Sequence, residues 1–254
     1  MSEENTQEKL RRELLWLEQE LTEDKLPEDQ KHVIKRLLEA SYAERAIMEQ
    51  TLRELANHPE ESLAGIIHVI QNRYKLCWEI AFHFLHEMGY PRNAPALAEL
   101  IQLVAEPYAF PGYDEALQVL QSVQPRDLAP YLIQALWDRG QENRYWSSLV
   151  GGICTTIREL GYDYALLCGP VVAYLLSQKD KLDHSSMLAP LELLSPHEKG
   201  YVLPVLIDLF SKEGVPQTTR DQARKLILSF PQETLQPYAQ ILPPLQKDVE
   251  DMGA

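Results

Sequence analysis

The sequence predicts an all-α protein made largely of repeated helix pairs, and three observations predict this class. Apolar residues recur with the 3.6-residue period of a helix along most of the 254 residues. Five prolines, each inside an apolar segment, recur at intervals of 33 to 40 residues from Pro95 onward. No segment shows the sustained period-2 alternation that is typical of a strand, so we expect essentially no sheet.

Residues 1–90 are predicted to form an N-terminal region of three long helices rather than repeats. The predicted helices are Gln7–Glu23, Pro27–Ala56 and Glu60–Met88. Leucines at positions 10, 14, 17 and 21 share one face of the first helix, which we expect to fold back on the rest of the protein. A coiled coil is the alternative, but it needs about three or four heptads. His58 before Pro59 and Gly89 before Pro91 mark the ends of the second and third helices.

The apolar faces of the second and third helices predict much of the core. In the second helix the predicted inward residues are Val33, Ile34, Leu37, Leu38, Ile47, Leu52 and Leu55. In the third they are Leu63, Ile66, Ile67, Ile70, Tyr74, Cys77, Ile80, Ala81, Phe84 and Leu85. Both sets assume that the helical period continues without interruption.

The predicted repeat region covers residues 91–247, and residues 248–254 are expected to be a disordered tail. The recurring prolines are Pro95, Pro130, Pro170, Pro204 and Pro237. Each of the first four begins a unit whose second helix is predicted at Tyr113–Val123, Tyr145–Leu160, Ser185–Leu194 and Thr219–Phe230. Proline is tolerated near a helix start because the first N–H groups have no partner within the helix. Gly151 and Gly152, inside a helical pattern, are expected to allow close packing of helices.

This repeat resembles the HEAT type of α-helical repeat, which has two helices per unit and a proline early in the first. The segment from Thr219 to Leu226, TRDQARKL, looks most like the second helix of that family. The second helices at Tyr145–Leu160 and Ser185–Leu194 lack the arginine expected near their starts, and Pro190 is an extra proline. The resemblance implies a right-handed α-solenoid of helix pairs, with a concave face that commonly binds proteins.

Composition excludes several functional classes. The formal net charge is −14 and no Lys/Arg run exceeds two residues, so nucleic-acid binding by phosphate neutralisation is disfavoured. No apolar run approaches the roughly 18–20 residues that span a bilayer, so we expect no membrane partner. Three cysteines without CxxC spacing and an N-terminus without a signal segment predict a cytoplasmic protein.

The sequence contains no recognisable catalytic or phosphate-binding motif, so we expect no enzyme and no cofactor. Glu79, His83, His86 and Glu87 fall on or near one turn of the third predicted helix, where a shared face is a requirement for metal binding. A second His-Glu pair occurs at His197. Deoxyhypusine hydroxylases, which have HEAT-like repeats, need four such pairs. With only two here, these histidines are interpreted as solvated, no metal site is predicted, and a metal-dependent hydroxylase is the least favoured function.

The most distinctive surface candidates are two predicted inter-helix connectors. The residues predicted to bind a partner are Trp137, Arg139, Arg144, Tyr145 and Trp146 in one connector, and Tyr108, Phe110 and Tyr113 in the other. Trp, Tyr and Arg are enriched at binding hot spots. The sequence therefore predicts a non-catalytic scaffold that binds another protein. The alternative is an immunity-type inhibitor of a basic toxin, or another acidic protein inhibitor, steered to its target by charge.

Overall fold

The chain is helical throughout the part that the structure, a computed structural model, describes: residues 3–23, 26–43, 45–106, 110–140, 146–178 and 184–238. No strand occurs in these ranges, so the prediction of an all-α protein is confirmed. The chain divides into two compact units, residues 1–141 and 142–254. The predicted disordered tail at residues 248–254 lies outside the described residues.

The described part of the first unit contains eight α-helices. They are α1 (Glu3–Glu23), α2 (Glu28–Ser41), α3 (Arg45–Ala56), α4 (Pro59–Gln71), α5 (Trp78–Met88), α6 (Ala94–Val104), α7 (Tyr113–Gln121) and α8 (Pro125–Gly140). A 3-10 helix, Lys75–Cys77, leads directly into α5.

Helices of the first unit pack mainly with the next helix but one. In one series α2 contacts α4, α4 contacts α6 and α6 contacts α8; in the other α3 contacts α5 and α5 contacts α7. A buried hydrogen bond strengthens the first series, because Gln102 Nε2 of α6 donates to the carbonyl oxygen of Ala135 in α8 over 3.2 Å. The N-terminal region of residues 1–90 and the start of the predicted repeat region therefore share one core.

Helix α1 packs against α2, as expected for a helix that folds back on the protein. Leu17 and Leu21 of its leucine face are each 1% exposed. At the surface, Lys35 Nζ of α2 lies 2.9 Å from Glu18 Oε1 of α1. An exposed ion pair contributes little free energy, so burial of the leucines holds this helix in place.

The prediction of three long N-terminal helices is wrong, because two of them are broken. The second predicted helix divides into α2 and α3 after Ser41, whose hydroxyl donates to the carbonyl oxygens of Leu37 and Leu38. The third divides into α4 and α5 at Arg73, which adopts a left-handed conformation with φ of 60°. Apolar periodicity continues across both breaks, which is why it did not reveal them.

Ile47 shows the consequence of the first break. It was predicted to face inward, but it lies on α3 with 52% of its surface exposed. The other predicted inward residues of this segment are buried, including Leu52 and Leu55. Ile47 lies in the first turn of α3, directly after the break, whereas Leu52 and Leu55 lie further along the helix. Arg36 of α2 pairs with Glu54 across the turn and so links the two helices.

The second unit consists of six α-helices in its described part. They are α9 (Trp146–Leu160), α10 (Cys168–Ser177), α11 (Leu188–Leu194), α12 (Lys199–Ser211), α13 (Gln217–Leu228) and α14 (Gln232–Leu235). Short 3-10 helices occupy Tyr162–Leu167, His184–Met187 and Gln236–Tyr238. Helix α11 contacts α9, α10, α12 and α13, and thus lies at the centre of this unit.

The helices predicted for the repeat region agree with the structure within a few residues. Pro95 and Pro170 lie in the first turns of α6 and α10, where the missing N–H removes no helical hydrogen bond. Pro130 and Pro204 lie inside α8 and α12. The predicted second helix Ser185–Leu194 is in fact a 3-10 turn followed by the short helix α11, consistent with an extra proline in this segment.

Two glycines inside helices have opposite surroundings. A Cβ atom on Gly65 of α4 would lie 2.8 Å from Val33 Cγ1 of α2, so this glycine allows the two helices to approach closely. A Cβ atom on Gly151 of α9 would meet nothing within 4 Å. The expectation that Gly151 serves close packing is therefore wrong.

We expect Gly65→Ala and Gly151→Ala to change stability in opposite directions. Gly151→Ala should raise the free energy of unfolding by about 0.5–1 kcal/mol, since alanine loses less backbone entropy in a helix. Gly65→Ala should lower the free energy of unfolding by about 1 kcal/mol or more, because the new methyl group would press on Val33. This steric cost outweighs the entropic gain of replacing glycine by alanine. Urea denaturation followed by circular dichroism measures both. In a Val33→Ala background, Gly65→Ala should cost less stability, because the contacting side chain is smaller. An equal loss in the wild-type and Val33→Ala backgrounds would contradict the packing argument.

Candidate functional site

An open apolar cleft lies in the first unit, where α1 passes the 3-10 turn before α5. Its volume is about 350 Å³, and it is lined by Glu13, Trp16, Leu17, Leu38, Arg73, Tyr74, Lys75, Leu76 and Cys77. The Trp16 ring meets the Tyr74 ring edge to face, with centroids 5.9 Å apart. Trp16 remains 45% exposed and Leu76 38% exposed. These two side chains are large apolar groups that the fold leaves partly in water beside a cavity.

The left-handed turn at Arg73 creates one wall of this cleft. It reverses the chain between α4 and the 3-10 helix, and the Arg73 guanidinium forms a two-pronged ion pair with Glu106, with Nη1 2.6 Å from Oε2. This hydrogen bonding raises the pKa of Arg73. Trp78, the first residue of α5, then anchors the turn, because its Nε1 donates to the carbonyl oxygen of Val69 over 3.3 Å. These contacts fix one wall of the cleft. The Arg73 guanidinium in that wall is already paired with Glu106.

The cysteines of the described chain are chemically shielded. Cys77, at the floor of the cleft, is 1% exposed, and burial raises the pKa of its thiol to about 12. In the second unit, a hydrogen bond between Cys154 and Cys168, together with burial, raises the pKa of the Cys154 thiol. A thiol is nucleophilic only as thiolate, so the raised pKa values of Cys77 and Cys154 make these two groups poor nucleophiles near neutral pH.

Of the residues predicted to bind a partner, Trp137 is the one whose side chain the structure shows at the surface. It lies near the C-terminal end of α8 and is 54% exposed. The structure does not describe the side chains of Arg139, Arg144, Tyr145, Trp146 and Tyr108. A binding role for the connector after α8 stays a prediction.

Phe110 and Tyr113 belong to an aromatic cluster with Trp78 and Phe82 of α5. The Phe110 ring centroid lies 4.9 Å from that of Trp78, 6.1 Å from that of Phe82 and 5.3 Å from that of Tyr113. All three contacts are edge-on, which is a favoured geometry for aromatic pairs. Phe110 and Tyr113 therefore pack α7 against α5, and a role for them in binding a partner stays a prediction.

Gly112 brings the start of α7 directly onto α5. Its φ of 81° is left-handed, and a Cβ atom there would lie 3.0 Å from the Phe82 ring and 3.2 Å from the Cα atom of Glu79. Both the conformation and the space thus favour glycine. As a consequence, the first turn of α7 lies beside the first two turns of α5.

Glu79, His83 and Glu115 converge at this junction. They are the one set of three potential metal ligands that comes together in the described part of the chain, with ligand atoms all within 4.8 Å of one another. Glu79 is exposed, whereas His83 and Glu115 are half-buried. Glu79 and His83 also line a groove of about 510 Å³ between α5 and the α2–α3 turn. Sequence spacing placed Glu79 and His83 on one face of a helix but did not reveal Glu115. Glu115 is distant in sequence and comes close to them only because α7 packs on α5.

Comparison of the chain with protein-family models, with curated proteins and with solved structures finds no match. The HEAT resemblance is therefore neither supported nor contradicted by a relative. Across the described helices, none combines the length and apolar character needed to cross a bilayer.

We expect the thiols of the folded protein to be nearly inert toward a disulfide reagent such as DTNB. At roughly pH 8 the fraction of thiolate at Cys77 is negligible, since its pKa is about 12. The native protein should release well under one equivalent of thionitrobenzoate within minutes, and urea-unfolded protein should release three. Rapid reaction of Cys77 in the native state, located by mass spectrometry, would show that the cleft opens to its floor.

We expect Gly112→Ala to lower the free energy of unfolding by about 1–3 kcal/mol, because a left-handed alanine is strained and its methyl group presses on α5. Gly214→Ala is the matched control. Gly214 has a φ of 84°, but a Cβ atom there would meet nothing within 4 Å, so only the backbone strain applies. Urea denaturation measures the loss of stability in both variants. The difference between the two losses is the cost of the steric contact with α5. Equal losses would show that the approach of α7 to α5 is not tight.

Proposed function

We propose that this protein is a non-catalytic scaffold that binds another protein through a surface of repeated helices. The contacts of the first unit support this, because α2, α4, α6 and α8 follow one another in contact while α3, α5 and α7 form a second series. Such alternation is the arrangement expected of an α-solenoid, in which each unit buries its core against its neighbours. A right-handed stack of HEAT-like pairs is part of the proposal.

The observation that carries the proposal is the cleft beside Trp16. Its lining is largely apolar, it is open to solvent, and two of its large apolar side chains, Trp16 and Leu76, are exposed. Single exposed apolar side chains need no explanation, but a tryptophan beside an open apolar cavity is a typical protein-binding hot spot. We assign the cleft to one aromatic or aliphatic anchor of a partner chain.

The partner is expected to be basic. Residues 1–141 contain 24 Asp and Glu against 14 Lys and Arg, and therefore carry a formal charge of −10 out of −14. Glu13 lines the cleft together with two cations, Lys75 and Arg73, of which Arg73 is paired with Glu106. Acidic surfaces accelerate the encounter with basic partners. An immunity-type inhibitor of a basic toxin is the second candidate, and the same charge distribution favours it.

Two further elements belong to the proposal. Trp137, exposed near the end of α8, supplies a second contact for a large partner, together with the connector that follows it. A cytoplasmic location is the other, and free, buried cysteines, which are usual in a reducing compartment, support it.

We expect the full-length protein to select short peptides that combine one aromatic or large aliphatic residue with lysine or arginine from a random displayed library. Trp16→Ala should weaken the binding of a selected peptide about 30-fold, equivalent to the roughly 2 kcal/mol of a hot-spot residue. Fluorescence anisotropy with a labelled peptide measures the affinity. Because the attraction is partly electrostatic, added salt should slow association.

Tyr162→Ala is the matched control, since Tyr162 is also an exposed aromatic residue, 72% exposed, but lies in the second unit. It should leave peptide affinity unchanged. Enrichment of acidic peptides would refute the assigned partner chemistry. Equal affinities of the wild type and Trp16→Ala, with both proteins folded by circular dichroism, would refute the cleft as the binding site.

A further inference from the structure

We propose that Glu79, His83 and Glu115 form a binding site for a divalent transition-metal ion of the zinc type. The proposal is independent of partner binding at the Trp16 cleft. It rests on the convergence of two carboxylates and one imidazole, with ligand atoms all within 4.8 Å of one another. The site joins α5 to α7 and opens toward the groove beside the α2–α3 turn.

The spacing of the three groups matches ligands placed around an ion. Zinc binds His nitrogen and carboxylate oxygen at about 2.0–2.2 Å, so two ligands of the same ion lie roughly 3–4.5 Å apart. Within the described chain, none of the three side chains forms a hydrogen bond or ion pair with another residue. They are thus close enough to share an ion but are not engaged with each other.

The charges at the junction also favour a cation. Two carboxylates held this near to each other repel, and a bound cation removes that repulsion. Arg45, which lines the same groove, is paired with Glu49, with 3.1 Å between Nε and Oε1. No Lys or Arg of the described residues lies within ion-pair distance of Glu79 or Glu115. The negative charge of the cluster is therefore uncompensated by neighbouring side chains.

The backbone that carries the ligands is held rigidly. Glu79 and His83 are four residues apart on α5, so they share one face of the helix. Glu115 lies in the first turn of α7, whose position is set by Gly112 against α5 and by the contact of Phe110 with the α5 aromatic residues. Rigid helices place metal ligands more accurately than loops do.

The ligand set identifies the class of metal. An imidazole with two carboxylates suits zinc and neighbouring transition ions, whereas calcium and magnesium prefer oxygen ligands alone. Three protein ligands leave a fourth position for water or for a group of a partner. The expected role is a cross-link that strengthens the contact between α5 and α7.

Zinc binding to untagged, full-length protein tests the proposal, after treatment with a chelator and its removal. Isothermal titration should show one zinc ion per chain in the wild type. His83→Gln and Glu115→Gln should each weaken that binding at least 10-fold. Titration with Co²⁺ should give visible d–d absorption bands in the wild type that both variants lose, which reports coordination by these side chains directly.

His86→Gln is the matched control, because His86 is an exposed histidine one turn further along α5 and outside the cluster. It should bind zinc as the wild type does, and far-UV circular dichroism should show that all variants are folded. Absence of saturable binding would overturn the proposal. Binding that His83→Gln and Glu115→Gln leave intact would also overturn it, since the ion would then be held adventitiously elsewhere.

Discussion

The close approach of the Gly112 turn to α5 is the contact on which much of the first unit depends. A side chain at this position would press on Phe82 and on the backbone of Glu79. Because it has none, α7 starts directly against α5, and Phe110 can enter the aromatic cluster with Trp78. The same approach sets Glu115 beside Glu79 and His83 of α5. One missing Cβ atom thus supports both a packing interface and a candidate metal site.

The second organising feature is the break between α4 and α5. An uninterrupted helix would continue past Arg73, and Tyr74 could not then turn back to meet Trp16. The left-handed conformation of Arg73 has an energetic cost, which the ion pair with Glu106 and the burial of Trp78 offset. The cleft is therefore a product of how the chain turns. Trp16 and Leu76 remain exposed beside it because no described helix covers them.

Both candidate sites lie in the more acidic of the two units, but they differ in chemistry. The cleft offers apolar surface with a mixed polar rim, which suits an anchor residue of a protein. The junction of α5 and α7 offers concentrated ligand atoms, which suits a small cation. Neither contains an activated nucleophile, and the thiol nearest to the cleft, Cys77, is protonated at neutral pH because burial raises its pKa.

Sequence reasoning identified the candidate sites only in part. The spacing of Glu79 and His83 showed a shared helical face, but their third partner is distant in sequence. Trp137, which was predicted to bind a partner, is 54% exposed. Phe110 and Tyr113, chosen by the same criterion, pack against α5. Residue type alone does not distinguish an aromatic side chain that packs in the core from one that binds a partner. In both cases the side chain contributes by burying a large apolar area.

By itself, the sequence determined the helical class, the positions of most helices after residue 91 and the burial of Leu17 and Leu21 on α1. These follow from local properties: apolar period, helix propensity and the tolerance of proline in a first turn. Only the tertiary structure decided where the long N-terminal segments break, that Ile47 is exposed, and that Glu115 meets His83. The reason is physical. A turn at Arg73 or a close approach at Gly112 is stabilised by contacts with distant helices, and such contacts leave no periodic signal in the chain.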